Sequence, residues 1–199
     1  MDTVTFKGNV MHLEGSQPAV GGKAPDFTLT ANDMSPRSLK DYAGKVLVLV
    51  CVPSLDTPVC DMEVRRFNTE AAAQSDKVRI VAISRDLPFA QARWCGAAGV
   101  TAVEALSDYR AGAFGKAYGI LIKELDLLAR SVFVVAPDGT LAYSFVESVK
   151  GSYPFWAIRW LGGVLFLVGM IIMAYNMFKT MAGGKVQNVP VIAPAAHHA

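Results

Sequence analysis

Cysteine is scarce in this chain: there are three, Cys51, Cys60 and Cys95, in 199 residues, and no two of them form a CxxC pair. An odd, sparse set excludes a secreted disulfide scaffold. The missing CxxC excludes a dithiol oxidoreductase motif and a cysteine zinc site. Histidine is equally rare. His12 lies near the N-terminus and His197 and His198 at the end, so no metal site can be assembled from spacing and no cofactor is expected. The net charge of +2 is too small to suggest a nucleic-acid surface. The start, MDTVTFKGN, lacks the apolar run of a secretory signal. Acidic residues are absent beyond Glu147, where the chain keeps only Lys150, Arg159, Lys179 and Lys185 as charges and turns strongly apolar.

What is present divides in two. Residues 1–149 read as one α/β domain. Val4–Lys7 and Val10–Leu13 flank Gly8-Asn9 and predict a β-hairpin. Phe27–Leu29 reads as a short strand, Asn32–Arg37 as a turn and Ser38–Tyr42 as one helical turn. Val46–Val52 and Val78–Ser84 read as buried strands on either side of a helix over Asp61–Ala73, with Val64, Phe67 and Ala71 on one face. That strand–helix–strand order implies parallel neighbours and a right-handed crossover. Asp86 is expected to cap a helix over Leu87–Cys95 that stops at Gly96. A third strand over Ala102–Leu106, a short helix over Arg110–Tyr118 and an antiparallel hairpin of Ser131–Ala136 with Leu141–Val146 complete a thioredoxin-like α/β sandwich. Residues 154–179 then read as a transmembrane helix, because Trp160–Phe178 is free of charge between Arg159 and Lys179 and about 20 apolar residues suffice to cross a bilayer. Trp156, Trp160 and Tyr175 suit the interfaces. Residues 180–199 read as a disordered tail.

The chemistry is expected at Pro53-Ser54-Leu55-Asp56-Thr57-Pro58-Val59-Cys60. Thr57-Pro58 fits a helix start, with Thr57 as N-cap and Pro58 as first helical residue. Cys60 then sits in the first turn, at the positive end of the helix dipole and among unpaired N–H groups, an environment that favours thiolate over thiol. A thiolate there could attack a peroxide and become a sulfenic acid, which a second cysteine captures as a disulfide. Cys95, one βα unit later, is the natural candidate. Cys51 lies on a strand and reads as a buried structural thiol. A cation should stabilise the departing oxygen, and the candidates are Arg65, Arg66, Arg85, Arg93 and Arg130.

PSLDTPVCD, SRDLPFAQARWCG, LSDYR and FGKAYGILIKELDLLAR, with the N-terminal VTFKGNVMHLEG, resemble the thiol peroxidases, the atypical two-cysteine branch of the peroxiredoxins, over about residues 3–146. The resemblance implies that Cys60 is the peroxidatic cysteine and Cys95 the resolving one, joined in an intrachain disulfide. It implies that Pro53 shields the pocket, Thr57 hydrogen-bonds the peroxide and Arg130 activates thiolate and peroxide. Hydrogen peroxide and organic hydroperoxides would be substrates, thioredoxin the reductant, and the enzyme a homodimer. The family closes with an amphipathic helix, whereas here YPFWAIRWLGGVLFLVGMIIMAYNMFKT resembles the last transmembrane helix of the catalytic subunit of cbb3-type haem-copper oxidases. That pairing implies a cytoplasmic peroxidase domain anchored in the inner membrane. Two other readings use the same residues: a redox relay that passes oxidation to a partner protein, and an inactive membrane-associated fusion fragment.

Overall fold

The computed structural model describes residues 2–6, 8–146 and 153–183. The chain forms two compact units, Met1–Val149 and Lys150–Ala199.

The first unit opens with the expected hairpin, β1 (Thr3–Phe6) and β2 (Asn9–Glu14), which turns at Gly8 with φ 84°. β3 (Thr28–Ala31) follows. The expected turn after it is cut short, because Pro36–Ser38 pairs back on β3 as strand β4. A 3-10 turn, Leu39–Tyr42, is closed by a capping box in which Ser38 and Asp41 satisfy each other. Then come β5 (Val46–Cys51), α1 (Pro58–Ala72), β6 (Val78–Ser84), α2 (Pro88–Ala98) and β7 (Glu104–Ser107). The unit ends with α3 (Ala113–Ala117), β8 (Leu121–Ile122), β9 (Leu127–Leu128), β10 (Ser131–Val135) and β11 (Leu141–Val146).

Seven strands form the central sheet in the order β11-β10-β5-β6-β7-β3-β4. β5, β6 and β7 run parallel, as the strand–helix–strand pattern requires, and the flanking strands pair antiparallel. The hairpin β1-β2 continues into β8-β9 as a second, four-stranded sheet.

Alternation along β5 decides which cysteine meets which layer. Leu47, Leu49 and Cys51 enter one core with Phe27, Phe114, Tyr118 and Phe133, while Val48, Val50 and Val52 enter a second core with Cys60, Val64 and Trp94. Val64, Phe67 and Ala71 of α1 face that second core, as their spacing predicts. In the first core, Phe114 stacks on Tyr118 at 4.3 Å and Tyr118 meets Phe133 edge-on at 5.0 Å.

Two helix boundaries differ from expectation. α2 starts at Pro88 behind an extended Leu87, and Gly96 lies inside it; the stop is Gly99, left-handed at φ 67°. Asp86 does not cap this helix, because its carboxylate is engaged elsewhere. α3 begins only at Ala113, since Gly112 is left-handed at φ 62°; the Asp108 carboxylate accepts hydrogen bonds from the N–H groups of Phe114 and Gly115 instead.

In the second unit, α4 spans Tyr153–Gly183, four residues past the expected helix end. Over Ala157–Gly183 it is apolar and exposed along its length. The junction 147–152 and the tail 184–199, with His197 and His198, lie outside the described residues.

Candidate active site

Pro58 opens α1, where its missing N–H costs nothing, and Cys60 follows two residues later in the first turn. Its thiol is fully buried. Arg130, immediately before β10, reaches it across the end of β5: Nη2 donates to Cys60 Sγ at 3.4 Å. Nε of the same guanidinium lies 3.1 Å from Glu63 Oε2, an ion pair about one-quarter exposed on the arginine side. Glu63 sits on α1 and so fixes the guanidinium from the helix that carries the thiol.

The other candidate cations are engaged elsewhere. Arg65 binds Asp61 with Nε at 2.9 Å, Arg66 pairs with Glu70, Arg85 with Asp126, and Arg93 lies 3.9 Å from Asp56. Of the five arginines singled out in the sequence, Arg130 is the one brought to the thiol. Pro53 is buried within the loop that joins β5 to α1. Thr57 occupies the N-cap position with extended backbone, but its side chain does not cap: Oγ1 donates to the carbonyl of Ser54 at 3.0 Å. The hydroxyl is thereby drawn into the loop and away from the helix N–H groups.

Sequence reasoning missed what fixes this loop. The Asp86 carboxylate accepts from Ser54 Oγ, from the Leu55 N–H and from Ser84 Oγ, each at 2.8 Å. Asp86 thus ties residues 54 and 55 to the end of β6. Buried Gln91 reinforces the tie, with Nε2 donating to Ser84 Oγ and to the Leu106 carbonyl, both at 2.9 Å. An aspartate two residues after a strand looked like a cap because two of its three partners, Ser54 and Leu55, are more than thirty positions away.

Cys95 lies late in α2, partly buried, and accepts a long hydrogen bond from Asn32 Nδ2 at 3.8 Å. Burial pushes its thiol above the ordinary cysteine range, and the Asn32 amide pulls it partly back. Cys51 is fully buried on the opposite face of the sheet, and burial raises its thiol strongly. All three cysteines are free thiols. Among the described residues, no group of three or more His, Cys, Asp or Glu could hold a metal ion.

A buried thiol in the first turn of the helix after a central strand, on a thioredoxin-like sheet and with a guanidinium against its sulfur, defines a peroxiredoxin-type thiol centre. The Redoxin family model matches residues 19–154. The thiol peroxidase of Bacillus subtilis (strain 168) is 51% identical over 154 residues, covering 77% of this chain and 92% of that protein. The thiol peroxidase of Staphylococcus aureus (strain MRSA252) is 47% identical over 154 residues, covering 77% of this chain and 93% of its own length. Among solved structures, the peroxiredoxin-like protein from Aquifex aeolicus superposes with a TM-score of 0.68 at 37% identity, covering 72% of this chain and 85% of that one. The thiol peroxidase from Chromobacterium violaceum shares the fold, with a TM-score of 0.66 at 20% identity over 80% of this chain and 94% of that one. The chain belongs to the Redoxin family and, within it, to the thiol peroxidases, so its activity is thiol-dependent reduction of peroxides. The family match ends at residue 154, while α4 continues to Gly183.

Proposed function

We propose that Cys60 is the peroxidatic cysteine and Cys95 the resolving one. The observation that carries this reading is the Arg130 guanidinium, 3.4 Å from the sulfur of a buried Cys60 at a helix start. The Cys60 sulfur attacks one oxygen of the peroxide. An S–O bond forms, the O–O bond breaks, and water or an alcohol leaves with the proton. Arg130 and the first-turn N–H groups stabilise the negative charge that passes from sulfur to the leaving oxygen. Thr57 orients the peroxide, and Pro53 keeps bulk water off the sulfur. The Cys95 sulfur then attacks the Cys60 sulfenic acid, forming the S–S bond and releasing water. A dithiol reductant of the thioredoxin type takes the oxidation and restores both thiols. Hydrogen peroxide and organic hydroperoxides are the substrates, and the enzyme works as a homodimer.

α4 serves as a membrane anchor in this reading, with the peroxidase domain in the cytoplasm. Arg159 and Lys179 bracket the uncharged stretch, and the 20 residue steps between them span ~30 Å at ~1.5 Å per residue, the thickness of a bilayer core. Trp160 and Tyr175 lie close to its two edges.

The test is peroxide-dependent NADPH oxidation, coupled through thioredoxin and its reductase, on full-length protein in detergent. Turnover that is lost in Cys60→Ser supports the assignment, and turnover that survives the substitution refutes it. Flotation of the same protein with phospholipid vesicles checks the anchor, and protein left in the dense fraction refutes it.

A further inference from the structure

The two proposed redox cysteines are each flanked by a residue that binds the other's helix. Asp61 directly follows Cys60 on α1, and Trp94 directly precedes Cys95 on α2. Trp94 Nε1 donates to Asp61 Oδ1 at 2.9 Å. Arg65 closes the group: its Nε donates to both Asp61 oxygens at 2.9 Å, its Nη1 donates to the Ala98 carbonyl at the end of α2 at 2.9 Å, and its guanidinium lies 5.9 Å from the Trp94 ring centre. The Trp94 side chain is 9% exposed, so the indole N–H depends on the carboxylate for its partner.

The two thiols, though packed against one core, have separate hydrogen-bond partners. Cys60 meets Arg130 at the start of β10, and Cys95 meets Asn32 at the end of β3. In the sheet order, β5, β6 and β7 lie between those two strands. The strands that carry the two partners are therefore four strand spacings apart, ~19 Å at ~4.8 Å each. A disulfide needs its Cα atoms within about 7 Å and its sulfurs in covalent contact. One or both helix segments must therefore leave this arrangement, and any swing of the Cys60 or Cys95 backbone pulls directly on Asp61 or Trp94.

We propose that Asp61, Trp94 and Arg65 are positioning residues that form a latch between α1 and α2, keeping the peroxide pocket assembled and setting how fast Cys60 and Cys95 can join. The latch rests on the assignment of those two cysteines given above. It sets a competition at the Cys60 sulfenic acid. In one branch the latch opens, the Cys95 sulfur displaces the hydroxyl of the sulfenic acid, and a disulfide and water form. In the other it stays closed, and a second peroxide oxidises the sulfenic acid to a sulfinic acid and leaves as water or alcohol. A tight latch favours the pocket and, at high peroxide, overoxidation. A loose latch favours the disulfide.

The experiment uses full-length, pre-reduced protein in detergent: wild type, Trp94→Phe, which keeps the ring and loses the donor, and Arg65→Gln. One equivalent of hydrogen peroxide is added, the reaction is acid-quenched at intervals, and the Cys60–Cys95 disulfide is measured by mass spectrometry. The sulfinic form is measured at excess peroxide, and far-UV circular dichroism checks the helices. A charge-assisted hydrogen bond supports roughly a tenfold change or more. Both variants should close the disulfide faster, Trp94→Phe about tenfold, and accumulate less sulfinic acid at the same excess of peroxide. Unchanged or slower closure in both variants, with helix content intact, overturns the latch while leaving the cysteine roles standing. A wild type that forms no Cys60–Cys95 disulfide overturns both, and the two failures are told apart by that control.

Discussion

Replacing Arg130 by glutamine tests the electrostatics of the peroxide step most directly. The guanidinium donates to Cys60 Sγ at 3.4 Å and is about one-quarter exposed, so water screens it incompletely. A unit charge pair near 4 Å is worth about 4 kcal/mol at an effective dielectric of about 20. Glutamine keeps a donor of similar reach but no charge. It also removes the positive charge beside Glu63, whose carboxylate lies 3.1 Å from Arg130 Nε. The transition state should therefore lose about 3–4 kcal/mol, or two to three orders of magnitude in the second-order rate with hydrogen peroxide. Arg130→Gln combined with Glu63→Gln should recover about tenfold of that, because it also removes the negative charge that the guanidinium had offset. The rate is read by quenched flow in a Cys95→Ser background, with the Cys60 sulfenic acid trapped by dimedone. A single Arg130→Gln variant within threefold of the parent, with unchanged circular dichroism, would refute the electrostatic role. A double variant slower than the single would refute the assignment to Glu63.

Asp86→Ala should destabilise the protein by about 3 kcal/mol, because it removes the acceptor of three hydrogen bonds and leaves the Leu55 N–H without its partner. The readout is the urea midpoint of the first unit's transition at unchanged slope, and a shift below about 0.5 kcal/mol sinks the argument. The pH dependence of disulfide closure should follow Cys95. Burial raises its thiol, so at pH 7 less thiolate is present than for a free cysteine, and the closure rate should climb with pH past the ordinary value of about 8.5 before it levels. Asn32→Ala removes the hydrogen bond that pulls the thiol back and should move that bend higher; a plateau reached below pH 8 in the parent contradicts the assignment.

The central strands and the Cys60 helix were legible because each carries a dense local signal. Val46–Cys51 and Val78–Ser84 are runs of β-branched and aliphatic residues, and Thr57-Pro58 marks a helix start within two positions. The missed elements lack such signals. β8 and β9 are two residues each, paired with one another and held to β2 through β8, so their strand character is a tertiary fact. Gly96 carried the composition of a stop but sits where the helix continues, and Gly99, three residues on, takes the left-handed turn. Within the site, Arg130 lies against the Cys60 sulfur, while the Thr57 hydroxyl donates to the Ser54 carbonyl. Composition alone could not separate Arg130 from four other arginines, because the selection is made by strand order: β10 pairs beside β5, which brings residue 130 to the end of the strand that feeds the Cys60 loop. The partnership of Asp61 with Trp94 was invisible for the same reason, with 33 positions between them.

The pleat of β5 also explains why three cysteines cannot exchange roles. Cys51 is the last residue of the strand and precedes Cys60 by a single loop, so in sequence it is the nearer thiol. Its parity places it with Leu47 and Leu49, under the layer that holds Phe114, Tyr118 and Phe133, while Cys60 packs with Val50 and Val52 on the other side. Joining the two would mean passing a sulfur through a sheet that is hydrogen-bonded on both flanks of β5, by β10 and by β6. Cys95 is 35 positions from Cys60, but α2 packs on the same face as α1, so only helix segments need to move. Sequence distance and chemical distance are therefore inverted here, and the sheet is what inverts them. It follows that Cys51→Ala should leave the yield of the Cys60–Cys95 disulfide unchanged. A non-reducing peptide map of the peroxide-treated variant decides the point, and a lost disulfide would mean that the two faces of the sheet communicate in a way this geometry does not allow.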